Sequence, residues 1–334
     1  MKAAILGCGA IGGLFLGYLS KQGIDVRGVV RDYQVSSLKE QGLFIEGVRG
    51  KEIFKVNAVS CLREKVDLAV FAVKTGDLPR IIEDNLEYLK EAKILAVQNG
   101  VKSEDTLNKY FPAERIVSGI VMFGATFYPP NKVVHNFGED LILGSVFSSS
   151  DSVIQEVGGA LVKAFNLKFS GNIKGAKYLK LFINLNNCIP AVLGVSMQEA
   201  FSDLELAKLA VKLNREAYRV VKMSGIELED LPSYPKKRIE DLVSLDIGFA
   251  ASIFSKVMGS LSKEPLYGSI LQSIKRKKPS EIDYINGEIV SLAKRNNLDA
   301  PLNRKITELV HRVESSGKFL GKDELSAEMD ARDK

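Results

Sequence analysis

Lys177, Lys180, Asn184 and Asn187 recur at spacings of three, four and three residues. At about 100° per residue they share one face of a helix. The residues around them, Leu179, Leu181, Phe182, Ile183, Leu185 and Ile189, are apolar. Ammonium and amide groups on so apolar a helix need partners, because a buried polar group without a hydrogen bond is costly. A small molecule carrying carboxylate and hydroxyl groups would supply them; a solvent-facing stripe is the alternative. A second cluster, Glu281-Ile282-Asp283-Tyr284-Ile285-Asn286-Gly287, follows Pro279-Ser280, which reads as a helix start with Ser280 as its N-cap. Glu281 and Asp283 then either complement the helix dipole or bring a carboxylate to a cleft, where it could bind a hydroxyl or hold a lysine.

A third constellation lies near the first residue. Gly7-Cys8-Gly9-Ala10-Ile11-Gly12 spells G-x-G-x-x-G after a short apolar run and before a helical one. In that strand–turn–helix setting the motif is a dinucleotide fingerprint. Gly7 permits the tight turn, Gly9 lets a pyrophosphate approach the backbone, and Gly12 lets helix and strand pack closely. The helix N-terminus, opened by Ala10 and Ile11, presents free N–H groups to the phosphates. An acid about 20 positions further on would mark NAD. Here the second strand ends Val29-Val30-Arg31, and a guanidinium matches a phosphate bidentately. That favours NADP, with Asp32 next door keeping NAD as the alternative. Lys74 and Gln98-Asn99-Gly100 end two later apolar runs, at the carboxyl strand ends where open α/β sheets bind ligands. Lys74 has a solvated loop lysine as its alternative reading, and Asn99 a plain turn.

The elements that must position these groups alternate at first. Strands are predicted over 2–6, 25–30, 68–73, 94–97, 116–123 and 167–170, with helices over 11–22, 33–41, 78–89, 101–110 and 152–165. This pattern reads as a Rossmann-like doubly wound parallel sheet. Residues 44–47 and 54–59 read as an inserted hairpin. Residues 133–136 and 140–143 read as an antiparallel hairpin closing the sheet, with 148–151 a loop into the next helix. From about residue 172 the pattern is helical, over 174–192, 204–223, 239–256, 281–295 and 303–315. The fold class is therefore α/β with an all-α C-terminal domain. Expected boundaries are 1–171, 172–316 and a frayed, charged tail over 317–334.

The chain has 334 residues, more than one core readily serves, with 46% hydrophobic and 26% charged residues and a net charge of +5. This is the composition of an ordinary globular protein. Its charge suits an anionic cofactor and an acidic substrate, not nucleic acid; Lys275-Arg276-Lys277-Lys278 lacks interleaved aromatics and reads as a solvated helix end. Cys8, Cys61 and Cys188 fit neither a metal set nor a disulfide framework, so reduced thiols, no metal and a cytoplasmic location are expected. Glycines interrupt the apolar stretch over 3–19, which argues against a signal peptide, and no run is long enough to span a membrane. A homodimer through the helical half is left open.

Taken together, Gly7 to Gly12, Arg31, Val73-Lys74, Gln98-Asn99-Gly100, Lys180-Leu181-Phe182-Ile183-Asn184, Ser269 and the Glu281 to Gly287 run give a chain that resembles the ketopantoate reductases (2-dehydropantoate 2-reductases) over about residues 1–315. The resemblance implies NADPH-dependent reduction of ketopantoate to pantoate on the route to pantothenate and coenzyme A. It makes Arg31 the partner of the 2′-phosphate and has Lys74 and Asn99 contact the cofactor. Lys180 becomes the proton donor to the C2 oxygen, Glu281 its assistant, and Asn184 and Ser269 the groups that orient the substrate. The chain departs from the family where a second asparagine is usual four residues after the first: that position is Cys188, and Asn187 beside it is the substitute. Two other readings remain, a reductase of another small 2-oxo acid and a non-catalytic NADP(H) sensor, although a sensor needs neither Lys180 nor Glu281.

Overall fold

The computed structural model describes residues 1–147, 151–262 and 264–330. The predicted loop over 148–150 and the last four residues of the predicted tail lie outside them. The chain divides into two compact units, Met1–Lys174 and Gly175–Lys334.

The first unit runs β1 (Lys2–Leu6), α1 (Ala10–Lys21), β2 (Asp25–Val29), α2 (Asp32–Gln41), β3 (Leu43–Gly47), β4 (Gly50–Phe54), β5 (Asn57–Val59) and β6 (Leu68–Phe71). It continues with α3 (Leu78–Glu83), α4 (Leu86–Leu89), β7 (Lys93–Ala96), α5 (Ser103–Leu107), β8 (Ile116–Val121), β9 (Gly124–Tyr128), β10 (Lys132–Phe137), β11 (Asp140–Gly144), α6 (Asp151–Leu161) and β12 (Asn166–Phe169). Eight strands form one sheet in the order β12-β11-β8-β7-β6-β1-β2-β5. It is parallel from β8 to β5, and β11 runs antiparallel to β8. Side chains alternate across a strand. Ala3 and Ile5 therefore join Leu14, Phe15 and Leu19 of α1 on one face, while Ala4 and Leu6 join Leu78, Ile82 and Leu107 on the other. Burial on both faces is why these strands read as unbroken apolar runs.

Both predicted hairpins are redrawn. β3 pairs with β4, which of the predicted 54–59 strand includes only Phe54, and β5 instead joins the edge of the main sheet beside β2. The strands predicted over 133–136 and 140–143 belong to different sheets. β10 pairs with β9 and, in parallel, with β3, giving a four-stranded sheet β4-β3-β10-β9, whereas β11 pairs with β8 and β12. The helix predicted over 78–89 is interrupted at Asn85, whose buried side chain accepts from the N–H of Leu62 at 2.8 Å and donates to the carbonyl of Ile81 at 2.9 Å.

Helix α7 (Ile173–Leu185) spans the junction of the units. The second unit then runs α8 (Cys188–Leu193), α9 (Met197–Phe201), α10 (Leu204–Met223), α11 (Lys237–Ser244), α12 (Ile247–Gly259), α13 (Ser269–Lys275), α14 (Asn286–Arg295), α15 (Pro301–Ser316) and α16 (Lys322–Asp330). The core of this unit includes α10, which buries Leu206, Leu209, Leu213, Ala217 and Val220. Asp203 caps it, its Oδ1 accepting from the N–H groups of Glu205 at 2.9 Å and Leu206 at 3.2 Å. The helix predicted over 174–192 breaks at Asn186 and Asn187, because Pro190 has no N–H for the carbonyl of Asn186 and its ring would clash there. The helix predicted over 239–256 breaks at Asp246, which caps α12 through the N–H groups of Gly248 and Phe249. Residues 281–295 open with a 3-10 turn, Ile282–Tyr284, before α14 starts. Nor is the tail frayed over its described length: α16 buries Leu325 and Met329, and Arg312 and Lys305 of α15 pair with Glu324 and Glu328. Among the described residues no helix is long and apolar enough to cross a membrane.

Candidate active site

In the first unit the predicted cofactor residues all follow the carboxyl ends of strands in the main sheet. β1 continues through the glycine turn into α1, and its neighbours are β2 on one side and β6 on the other. The chain reverses its progression across the sheet here, at the switch point where such sheets bind ligands. Gly7 sits at φ +95°, and a Cβ there would lie 2.4 Å from Val73 Cγ1. A Cβ on Gly12 would lie 2.0 Å from the carbonyl oxygen of Gly7. These two glycines are demanded by the turn and by the approach of α1 to the strands. Gly9 differs: a Cβ there would meet nothing within 4 Å. Gly9 is the N-cap of α1 and offers no side-chain acceptor, nor is there an acidic residue in the first turn. The start of α1 thus meets neither a capping side chain nor an acidic group, and helix starts of this kind take phosphates.

Arg31 stands exposed between β2 and α2, beside Asp32, which has already entered the helix. Lys74 is half-buried after β6, and Asn99 half-buried after β7. Their neighbours Thr75 and Gln98 are buried. Gln98 donates from Nε2 to the carbonyl of Phe71 at 2.9 Å, while Gln98 Oε1 and Thr75 Oγ1 have no hydrogen-bond partner among the described residues. Buried polar atoms are almost always satisfied, so these orphans on adjacent strand ends fit a polar ligand. Thr75 had no signal in the sequence beyond following Lys74. Cys8 is spoken for: buried within the motif, its thiol sits 3.6 Å from the carbonyl of Ile5, and burial raises its pKa.

The second unit gathers the other group. Lys177, Lys180 and Asn184 lie along α7, Lys177 buried and the other two half-buried. This rules out the solvent-facing stripe. Burial pushes the Lys180 ammonium down to about 8; the charge of Lys177 acts the same way, and the half-buried Glu281 carboxylate opposes them. Lys180 and Glu281 are therefore electrostatic neighbours, brought together from segments far apart in sequence. Asn187 is not on that face of a continuous helix. It is the buried N-cap of α8, and its side chain lies against Gly268, where a Cβ would come within 2.9 Å of Asn187 Cγ. That puts it next to the start of α13, whose first residue is the exposed Ser269. Cys188 is fully buried. Its thiol donates to the carbonyl of Leu185 at 3.1 Å, and Asn286 Nδ2 approaches its sulfur at 3.7 Å. Burial drives its pKa up to about 12, so it stays a neutral thiol.

Residues 3–147 match the family described as ketopantoate reductase PanE/ApbA, and residues 172–314 match its C-terminal family. The chain belongs to the ketopantoate reductase family. It is 30% identical over 313 residues to a 2-dehydropantoate 2-reductase of Pyrococcus abyssi, covering 93% of this chain and 97% of that one. Among solved structures, a ternary complex of D-mandelate dehydrogenase with NADH and anilino(oxo)acetate superposes with a TM-score of 0.80 at 27% identity, covering 95% of this chain and 99% of the other. The PanE/ApbA family ketopantoate reductase of Ralstonia eutropha does so with a TM-score of 0.79 at 25% identity, covering 94% and 99%. The protein is thus an oxidoreductase, built as a Rossmann-like α/β unit followed by helices, of a family that uses NAD(P)H.

Proposed function

We propose that this chain reduces 2-dehydropantoate to pantoate with NADPH, supplying pantoate for pantothenate and coenzyme A synthesis in the cytoplasm. The observation that carries the reading is the Lys180–Glu281 pair: a lysine whose pKa is drawn down to about 8, beside a carboxylate, in a family of ketopantoate reductases. When bound, the cofactor supplies the hydride. The residues of the chain do the rest. Gly7, Gly9 and Gly12, with the N–H groups at Ala10 and Ile11, hold the pyrophosphate. Arg31 takes the 2′-phosphate, and Lys74 and Asn99 contact the nucleotide. Hydride arrival at C2 builds negative charge on the carbonyl oxygen; the Lys180 ammonium stabilises that charge and gives up its proton, leaving an alcohol and a neutral amine that solvent reprotonates. Glu281 holds the ammonium in place, and Asn184, Asn187 and Ser269 orient the substrate hydroxyl and carboxylate.

One observation favours a second reading. With Cys188 buried and neutral, this position offers the substrate no amide, and that suits a 2-oxo acid less polar than ketopantoate. NADPH oxidation measured with ketopantoate and with a panel of apolar 2-oxo acids separates the two. Ketopantoate is expected to have the highest kcat/KM. A preference for an apolar 2-oxo acid replaces the substrate, and the absence of any turnover with NADPH binding intact overturns both readings in favour of a nucleotide sensor.

A further inference from the structure

Glu281 sits in a short turn between Pro279 and α14, and a helix alone does not hold it. Two side chains of α15 reach that turn. Glu314 accepts the backbone N–H of Ser280 at Oε1, 2.8 Å away. His311, one helical turn earlier, stands between two carboxylates: Nε2 lies 2.9 Å from Asp283 Oδ1 and Nδ1 lies 3.1 Å from Glu314 Oε2. Residues 280 and 283 flank Glu281, so both sides of the turn are tied to one helix by a single chain of contacts. Ile282 and Ile285 are buried beneath it, so apolar packing folds the turn and the polar ties set its orientation.

We propose that His311 is a positioning residue: as an imidazolium bridging Asp283 and Glu314, it clasps the turn that carries Glu281 and fixes that carboxylate relative to Lys180. An imidazolium donates from both nitrogens, one to each acid. A neutral imidazole has one N–H, so only one acid keeps its bond and the other faces a lone pair. The charged groups facing His311 are Asp283 from the turn and Glu314 from its own helix, and both favour the protonated ring. Partial burial opposes them, and the outcome is a pKa above the ordinary 6.5. The sign follows: the clasp is fully made below the ordinary imidazole pKa and opens as pH rises through the raised one. His311 is exposed enough for solvent protons to reach it.

The consequence for turnover rests on the reductase reading; the clasp itself does not, so the experiment has an arm for each. The chain has two histidines, His135 and His311. His135 is buried against the Tyr18 hydroxyl and the Gly138 carbonyl, and its pKa is lowered. In an NMR titration of the full chain, the imidazole titrating above 6.5 is expected to be lost in His311→Gln and to titrate lower in Asp283→Asn and in Glu314→Gln. The backbone amide of Glu281 should follow the same titration in the native protein and lose it in His311→Gln. A His311 titration indifferent to both acid substitutions, or a Glu281 amide that does not follow it, overturns the clasp whatever the protein reduces. In the kinetic arm, His311→Gln is expected to lower kcat about threefold to tenfold at pH 6, converging on the native rate as pH rises, with little change in the KM for NADPH. His311→Lys, which keeps a charge, should restore the rate at pH 6. A deficit that is the same at every pH and is not rescued by lysine means packing alone and overturns the positioning role.

Discussion

The two halves of the candidate machinery are built from different material. In the first unit the chemistry is in the backbone: φ +95° at Gly7, the open space over Gly9 and the uncapped start of α1. Six consecutive residues encode it. In the second unit it is in side chains, Lys180 from α7 and Glu281 from a turn about a hundred residues later, and burial sets the proton affinity of the lysine. A local motif can specify a backbone site almost alone, because sterics and the helix dipole are local. A lysine with a lowered pKa exists only after tertiary packing has removed water from it.

The largest expected effect falls on the side-chain half. Lys180→Ala removes the proposed proton donor, so kcat should fall about 10²- to 10⁴-fold, while NADPH affinity, measured by fluorescence titration, stays native. Near-native turnover would move the acid elsewhere, and loss of both properties would mean that the two halves are not functionally separable. Arg31→Ala is the matching cut in the first unit. Removing a charge-assisted contact should weaken NADPH about tenfold to a hundredfold and leave NADH nearly unchanged. Equal losses for the two nucleotides would point to Asp32 and an NAD enzyme, the cofactor seen bound to D-mandelate dehydrogenase.

The glycine turn allows a finer division. Gly12→Ala puts a methyl 2.0 Å from the Gly7 carbonyl oxygen, an overpacking that should cost about 1–3 kcal/mol of stability or more and lower the thermal midpoint. Gly9→Ala meets no protein atom, so the midpoint should hold while NADPH binding weakens about tenfold. If Gly9→Ala binds NADPH normally, the open space there is not the phosphate cradle.

What could be read in advance follows the same division. The parallel strands of the main sheet read as apolar runs, buried on both faces, and the glycine motif marks the turn that follows the first of them. The small sheet does not read in this way, because β3 pairs with β10 across almost ninety residues and nothing local records a partner that distant. Pro190 bars a continuous helix through Asn186, so Asn187 leaves the lysine face and caps the next helix; the three-and-four spacing alone does not carry that break. Charge density over 317–334 suggested fraying; the acids of α16 instead find Arg312 and Lys305. The link from His311 to Asp283 has no signature in the sequence, because it joins a turn to a helix 28 residues later.

The smallest effect tests the claim that burial, more than any single partner, governs the second site. Desolvation is the largest influence lowering the proton affinity of Lys180, with Lys177 next. Lys177→Met removes the like charge and keeps an apolar stem, so Lys180 should hold its proton to higher pH. In the native enzyme, activity that needs the ammonium is lost as pH rises through about 8. At pH 7 about nine-tenths of such a lysine is already protonated, so kcat there should barely change. The alkaline limb should move upward, and the variant should outperform the native enzyme at pH 9. A limb that stays in place assigns the depression of Lys180 to burial alone. A limb that moves down means that Lys177 holds a carboxylate toward Lys180, and its charge then acts through that acid.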